Sequence, residues 1–383
     1  MPDSKALDRP EFASAQDMLR ALKPRQPVYC IHPDVYRAAA DEFVGGFPGR
    51  VLYAVKANDD PEVLRLLNEG GIRHFDCASL PEIEAVRTHC PGSTPYFMTP
   101  VRLRGAAGLA QREWGVRHFM VDDTSGLERL RAEIDMRSSV VFVRMAVRHP
   151  HALQNFANKF GADPDEVPGL LQSVRGLGAE PALAFNVGSS VISPDAYTEA
   201  MDIAAGVLRQ VGFPLRLVDI GGGFPLEYPG FPVPPLGDYF QAVTDAMPSL
   251  GLARDGELMA EPGRRLAAPG LSAVVEVLLR KDDRVYINDG MYGIFWELRF
   301  KAHQRYAVTT YREGRELTGD TDAFHLFGPT CDGSDVLPET ISLPREVAPG
   351  DHLHFHRLGA YSLSGRTRFN AHYSDLVVRL MSH

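Results

Sequence analysis

Lys56 ends the run Val51-Leu52-Tyr53-Ala54-Val55. Few lysines follow five apolar residues directly. An ammonium partly withdrawn from water has a lowered pKa and exposes a nucleophilic amine. Such an amine can form a Schiff base with an aldehyde. Taken alone, Lys56 is more simply a strand-end side chain that reaches to water. Other groups lie downstream. Asp219-Ile220-Gly221-Gly222-Gly223-Phe224-Pro225 offers backbone N–H groups that can converge on an anion without Cβ interference, or merely a tight turn. Glu261-Pro262-Gly263-Arg264 offers a carboxylate that could pair with a protonated ring nitrogen and keep that ring an electron sink. The Gly263 and Arg264 backbones could add phosphate donors. By itself this tetrapeptide reads equally as a helix N-cap with an exposed arginine. Cys331-Asp332-Gly333-Ser334-Asp335 sets a thiol and two acids in a glycine-flanked turn, and Tyr361 adds a phenol that could bond a phosphate. The acids could grip a cationic substrate end, or the segment could be a turn and nothing more.

The elements that must position these groups follow from hydrophobic patterning. From residue 28 to 270, short apolar runs alternate with amphipathic stretches. Strands are expected at 28–31, 51–56, 74–77, 95–97, 118–121, 140–146, 182–187, 217–220 and 257–260. Helices are expected at 61–69, 81–89 and 194–211, each opened by a proline at its first turn. This alternation means parallel β-structure with crossover helices. Roughly eight units over about 240 residues predict a closed (β/α)8 barrel. A doubly wound open sheet fits less well, because the glycine-rich turn follows a late strand. The triplet and the glutamate both follow late strands, where such barrels commonly bind phosphate and place catalytic side chains. Residues 271–383 break into short strand-like runs split by turns and predict an antiparallel β-sandwich or barrel-like domain, joined by the N-terminal segment 1–27. The proline-dense segment from Tyr228 to Pro235 predicts a surface loop.

Bulk properties narrow the function. The 383 residues are 44% hydrophobic and 23% charged, with a formal charge of −9. That balance argues against a nucleic-acid or anionic-membrane partner. There is no apolar run of membrane-spanning length and no leader-like N-terminus, so a cytoplasmic protein is expected. Cys30, Cys77, Cys90 and Cys331 are scattered and read as free thiols in a reducing compartment. The alternating His352, His354 and His356 read as one face of a strand, and no metal site is expected.

Taken in order, these motifs resemble the pyridoxal-phosphate-dependent ornithine/diaminopimelate/arginine decarboxylases, which join an alanine-racemase-like barrel to a β domain. The resemblance runs from Pro27 to Val378. It is carried by Tyr53 to Asn58, Phe75 to Ser79, Lys159-Phe160-Gly161, Asn186 to Ser190, Asp219 to Pro225, Glu261 to Arg264, Gly328 to Gly333 and Gly359-Ala360-Tyr361. The wording is most similar to ornithine decarboxylase at Phe327 to Gly333. The resemblance implies pyridoxal 5′-phosphate as cofactor, with Lys56 as its covalent anchor and Glu261 at the ring nitrogen. It implies Ser189, Gly222, Gly223, Arg264 and Tyr361 at the phosphate, and Asp76 and Arg144 on the cofactor's other side. It further implies a head-to-tail homodimer. There Cys331 of one subunit would protonate the carbon that has lost carbon dioxide in the other, and Asp332 would grip the substrate's distal amine.

Two positions depart from the family. Asn186 stands where a ring-stacking histidine is usual, and an amide offers less contact area. Lys301 stands where ornithine enzymes carry an acid toward the substrate ammonium, and a one-residue shift gives Ala302. A cation there would repel a cationic tail. Glu297 is the expected substitute acid. The resulting expectation is a decarboxylase of an ornithine- or lysine-like amino acid serving polyamine biosynthesis. Alternatives are a substrate with an anionic or modified distal end (diaminopimelate, a carboxylated polyamine or a siderophore precursor), a non-catalytic regulatory relative, and a racemase on the same barrel.

Overall fold

The computed structural model describes residues 8–148, 152–154, 157–300 and 304–382. A closed parallel barrel is formed by Arg50–Ala54 (β1), His74–Cys77 (β2), Thr94–Phe97 (β3), His118–Val121 (β4), Val140–Met145 (β5), Glu180–Phe185 (β6), Leu217–Asp219 (β7) and Glu257–Ala260 (β8). β8 closes onto β1 through Met259 opposite Arg50. Leu52, Tyr96, Phe142 and Met259 fill the interior, while Tyr53, Phe75 and Val143 point outward into the layer under the helices. This two-sided burial explains why the strands read as continuous apolar runs.

Local chemistry starts the helices where the patterning expects them. Asp60 accepts from the N–H of Glu62 at 2.9 Å and caps Pro61–Glu69. Ser79 and Glu82 form a reciprocal box at the start of Leu80–His89, with Glu82 accepting from the Ala78 N–H.

Val28–Ile31, expected in the barrel, belongs to the second sheet instead. It pairs antiparallel with Leu271–Lys281 and parallel with Val377–Leu380. All four of its residues are buried. A short strand buried on both faces has the same apolar signature whichever sheet it joins. The N-terminal strand Glu11–Phe12 pairs with Val377–Leu380 at the edge. The sheet is mainly antiparallel, built around Leu271–Lys281, His352–Phe355 and Val308–Arg312, with further parallel pairing of Arg284–Ile287 to Thr321–Phe327. His354 is buried in it and bonds the Ser272 hydroxyl at 2.7 Å. Among the described residues no helix is long and apolar enough to cross a membrane.

The N-terminal mouth of the barrel carries a polar layer, at the end away from Lys56. His118 stacks on Tyr96 with centroids 3.9 Å apart, and the Tyr96 hydroxyl lies 3.3 Å from His74 Nδ1. Burial first, then the nearby Arg50 guanidinium, lowers His74 to about 4 and His118 to about 3. Both rings are neutral in the fold, whereas in the unfolded chain they take up protons below their ordinary value of 6.5. Stability from this layer is therefore complete above pH 6.5 and is lost as the pH falls toward 4. Denaturant titrations at pH 7 and 5 should show a loss of about 2 kcal/mol per ring, reduced in His118→Gln. An equal pH dependence in that variant would contradict the assignment.

Candidate active site

The site lies at the C-terminal ends of the barrel strands, where this architecture exposes strand-end side chains. β1 stops at Ala54, and the chain turns through a 3₁₀ segment, Val55–Ala57. Lys56 thus stands on a turn rather than within a strand. The turn is held from the second sheet: the Tyr361 N–H donates to the Ala57 carbonyl at 2.7 Å, and Asn58 donates to the Gly359 carbonyl at 3.0 Å. The Ser364 hydroxyl donates to the Lys56 carbonyl at 3.2 Å.

Lys56 opens onto a cavity of about 590 Å³. Arg144, Asn186, Ser189, Gly222, Gly223, Glu261, Gly263, Arg264, Glu297 and Tyr361, all expected at the site, line it as well. Asp76, from the end of β2, reaches Lys56 Nζ at 3.6 Å and is almost fully buried. This corrects the expectation of a depressed lysine pKa. The Lys56 side chain is 51% exposed toward the cavity. The Asp76 charge, outweighing the cost of burial, holds its ammonium above the ordinary value. Burial pushes the Asp76 carboxyl up in turn, against the pull of Lys56.

At the cavity floor three buried carboxyls gather: Asp76, Asp219 and Glu261. Burial first, then Asp219 and Asp76, drives Glu261 well above its ordinary range. Burial raises Asp219 to about 6, even though it accepts from the Gly221 N–H at 2.8 Å. Asp219 was not singled out from sequence as a site residue. The signal was there, since it is a strand-end acid directly before the glycines. Glu261 Oε1 is buried with no hydrogen-bond partner among the described residues. Such an orphaned acceptor suits a protonated ring nitrogen.

The glycines form a cradle that side chains would fill. Gly223 has φ +102°, and a Cβ there would lie 2.7 Å from the Gly188 carbonyl oxygen. A Cβ on Gly222 would lie 2.5 Å from the Glu261 carbonyl oxygen, and one on Gly263 would crowd the Tyr361 hydroxyl at 3.1 Å. Asn186 Oδ1 accepts from the Gly188 N–H at 2.9 Å, so its amide also braces the turn before Ser189. Phe160 carries a cation near its face from each neighbour, with Arg144 at 5.4 Å and Lys159 at 4.9 Å. Lys159, Phe160, Met98, Trp296 and Phe300 also line the cavity, although no role was assigned to them from sequence.

One substrate assignment changes. Glu297 is no free acid, because Arg264 binds it through two nitrogens in a buried pair. Burial alone would lower Arg264, but Glu297 overrides it and holds the guanidinium firmly charged. Its plane also lies over the Tyr361 ring at 5.3 Å. Lys301 and Ala302 lie outside the described residues.

Cys331 and Asp332 do not join Lys56 within the chain. Cys331 is exposed, 3.3 Å from Asn370 Oδ1. Asp332 accepts from the Tyr292 hydroxyl, which holds its carboxyl below the ordinary range. Tyr292 is itself clamped between Phe369, at 4.5 Å, and Arg299, at 4.0 Å. Asn370 and Tyr292 were not found from sequence, because their roles exist only once distant turns meet.

A barrel-mouth lysine paired to a buried aspartate, a glutamate with an unpartnered buried oxygen and a glycine cradle fit a pyridoxal-phosphate enzyme. Residues 34–268 match the family described as "Pyridoxal-dependent decarboxylase, pyridoxal binding domain", and the chain belongs to that family. It is 33% identical over 334 residues to the lysine/ornithine decarboxylase of Selenomonas ruminantium, covering 84% of this chain and 81% of that one. It is 26% identical over 381 residues to the diaminopimelate decarboxylase of Helicobacter pylori, covering 94% and 91%. The structure of Vibrio vulnificus lysine/ornithine decarboxylase complexed with putrescine superposes with a TM-score of 0.83 at 28% identity, covering 96% of this chain and 99% of that one. The protein is thus a pyridoxal-phosphate-dependent amino-acid decarboxylase, a carboxy-lyase.

When bound, the cofactor supplies an electron sink for the bond to the departing carboxylate. The residues present fit it. Lys56 would provide the anchoring amine and Asp76 would steady its charge. Glu261 would face the ring nitrogen, with Asp219 behind it. Gly222, Gly223, Gly263, Ser189 and Tyr361 would surround the phosphate end, and Arg264 would add a fixed positive charge beside them.

Proposed function

We propose that this enzyme decarboxylates an ornithine- or lysine-like amino acid to a diamine for polyamine biosynthesis. It acts as a homodimer whose sites lie at the subunit interface. The carrying observation is the separation of chemistry within one chain: Lys56 lines the cavity, while Cys331 and Asp332 sit on an exposed turn outside it. A second copy delivering that turn would complete the site. Cys331 would then give its thiol proton to the carbon that has lost carbon dioxide. Asp332, kept ionised by Tyr292, would face the distal ammonium. Four free cysteines suit a reducing cytoplasm.

A substrate with an anionic distal end is the second reading. Arg144 and Lys159 border the cavity, and Glu297 is already neutralised by Arg264. Carbon dioxide release from ornithine, lysine, arginine, diaminopimelate and carboxylated amines separates the two. Ornithine or lysine should give the highest kcat/KM, and Asp332→Ala should raise KM for them about tenfold with a smaller change in kcat. Preference for diaminopimelate, with Asp332→Ala neutral, would favour the second reading.

The shared site has its own check. Mixing inactive Lys56→Ala and Cys331→Ala subunits should restore about a quarter of wild-type activity, since half of the dimers are mixed and each has one intact site. No recovery on mixing would exclude sites built from both subunits.

A further inference from the structure

Among the described residues the phosphate end of the cofactor cavity carries one cation, and its charge is already answered. Arg264 follows Gly263 directly, and its guanidinium lies over the Tyr361 ring at 5.3 Å. The other described cations of the lining are engaged elsewhere. Lys56 is paired to Asp76, and Arg144 and Lys159 flank Phe160. Both terminal nitrogens of Arg264 donate to Glu297, one of them at 2.8 Å. That fork is the part of a guanidinium that would otherwise grip two phosphate oxygens.

Glu297 is fixed where it stands. It belongs to a short 3₁₀ turn, Trp296–Arg299, opened by the Trp296 N–H donating to the Gly293 carbonyl at 3.2 Å. The Leu298 N–H donates to the Phe295 carbonyl at 3.0 Å. Gly365 backs the turn so closely that a Cβ there would lie 2.6 Å from the Trp296 ring. The side chains of Arg264 and Glu297 are only 5% and 6% exposed. Water screens charges little in so dry a place, so the carboxylate acts on any anion brought to Arg264.

The remaining groups of the cradle carry no permanent charge. Gly222, Gly223 and Gly263 present backbone amides, Ser189 a hydroxyl and Tyr361 a phenol. Each can donate a hydrogen bond to phosphate, but none offsets its charge. A phosphate placed here would meet a guanidinium whose charge is cancelled and, beside it, a carboxylate of its own sign. Like charges brought together out of water repel strongly.

We propose that Glu297 competes with the cofactor's phosphate for Arg264, so that neutral donors mainly hold the phosphate and the cofactor exchanges faster than beside an unopposed arginine. This rests on the cofactor assignment and not on which amino acid is decarboxylated. The test follows visible absorbance as ligand is added to the full-length enzyme stripped of cofactor. The two ligands are pyridoxal phosphate and pyridoxal, which lacks the phosphate. Glu297→Gln keeps the volume and one acceptor for Arg264 but removes the charge. It should bind pyridoxal phosphate about tenfold more tightly than wild type and release it correspondingly more slowly on dilution. Its affinity for pyridoxal should stay within about twofold of wild type. Glu297→Asp keeps a counter-charge for folding but draws it back by one methylene. It should shift the preference for the phosphorylated ligand in the same direction, by about threefold. In either variant, weaker or unchanged binding of pyridoxal phosphate would make Glu297 a brace or a plain clamp and overturn the proposal. An equal gain for pyridoxal would overturn it as well.

Discussion

Lys56→Ala is expected to lose the cofactor's visible absorbance and to lower decarboxylation by roughly 10²–10⁴-fold, the range typical of removing a group that handles covalent and proton transfer at the reaction centre. The variant should stay folded. Lys56 is half exposed toward the cavity, and its removal leaves no core void. Its loss also strips Asp76 of the ammonium 3.6 Å away. The three-carboxyl cluster would then be still more reluctant to ionise, so adding a free amine should restore little activity unless it enters as a cation beside Asp76. A Lys56→Ala protein that keeps the absorbance and more than a tenth of the activity would refute the anchor assignment.

Glu297→Ala should be the most destabilising single change at the site. Arg264 and Glu297 are both buried and joined through two nitrogens. Removing the carboxylate leaves a buried guanidinium without its counter-charge, a change worth about 3–5 kcal/mol. Denaturant unfolding should record a loss of that size. Arg264→Leu combined with Glu297→Ala should lose less than the sum of the two single changes, because the orphaned charge is gone. Phosphate-end affinity should fall in both arginine variants. A Glu297→Ala protein as stable as wild type would mean that the pair is not buried.

The parts of the site that were legible in sequence are those fixed by one strand and the turn after it. Lys56, the glycine triplet and Glu261 each follow an apolar run directly, and a parallel barrel brings all such ends to one mouth. Pairings made across the fold were not legible. Asp76 comes from the neighbouring strand and reverses the expected shift of Lys56. Arg264 neutralises Glu297 from 33 residues away, which removes the acid that seemed available to substrate. Val28–Ile31 was assigned to the barrel half because four apolar residues carry no mark of their partner strand. Asn370 and Tyr292 reach Cys331 and Asp332 only after separate turns of the β-rich half converge.

Among the described residues two lysines line the cofactor cavity, Lys56 and Lys159, and only one can be the anchor. Borohydride reduction of the loaded enzyme, followed by digestion and mass spectrometry, fixes the pyridoxyl group to whichever amine holds it. The label should fall on the peptide containing Lys56 and be absent from Lys56→Ala. A label on Lys159, or on no lysine of the cavity, would contradict the account at its centre.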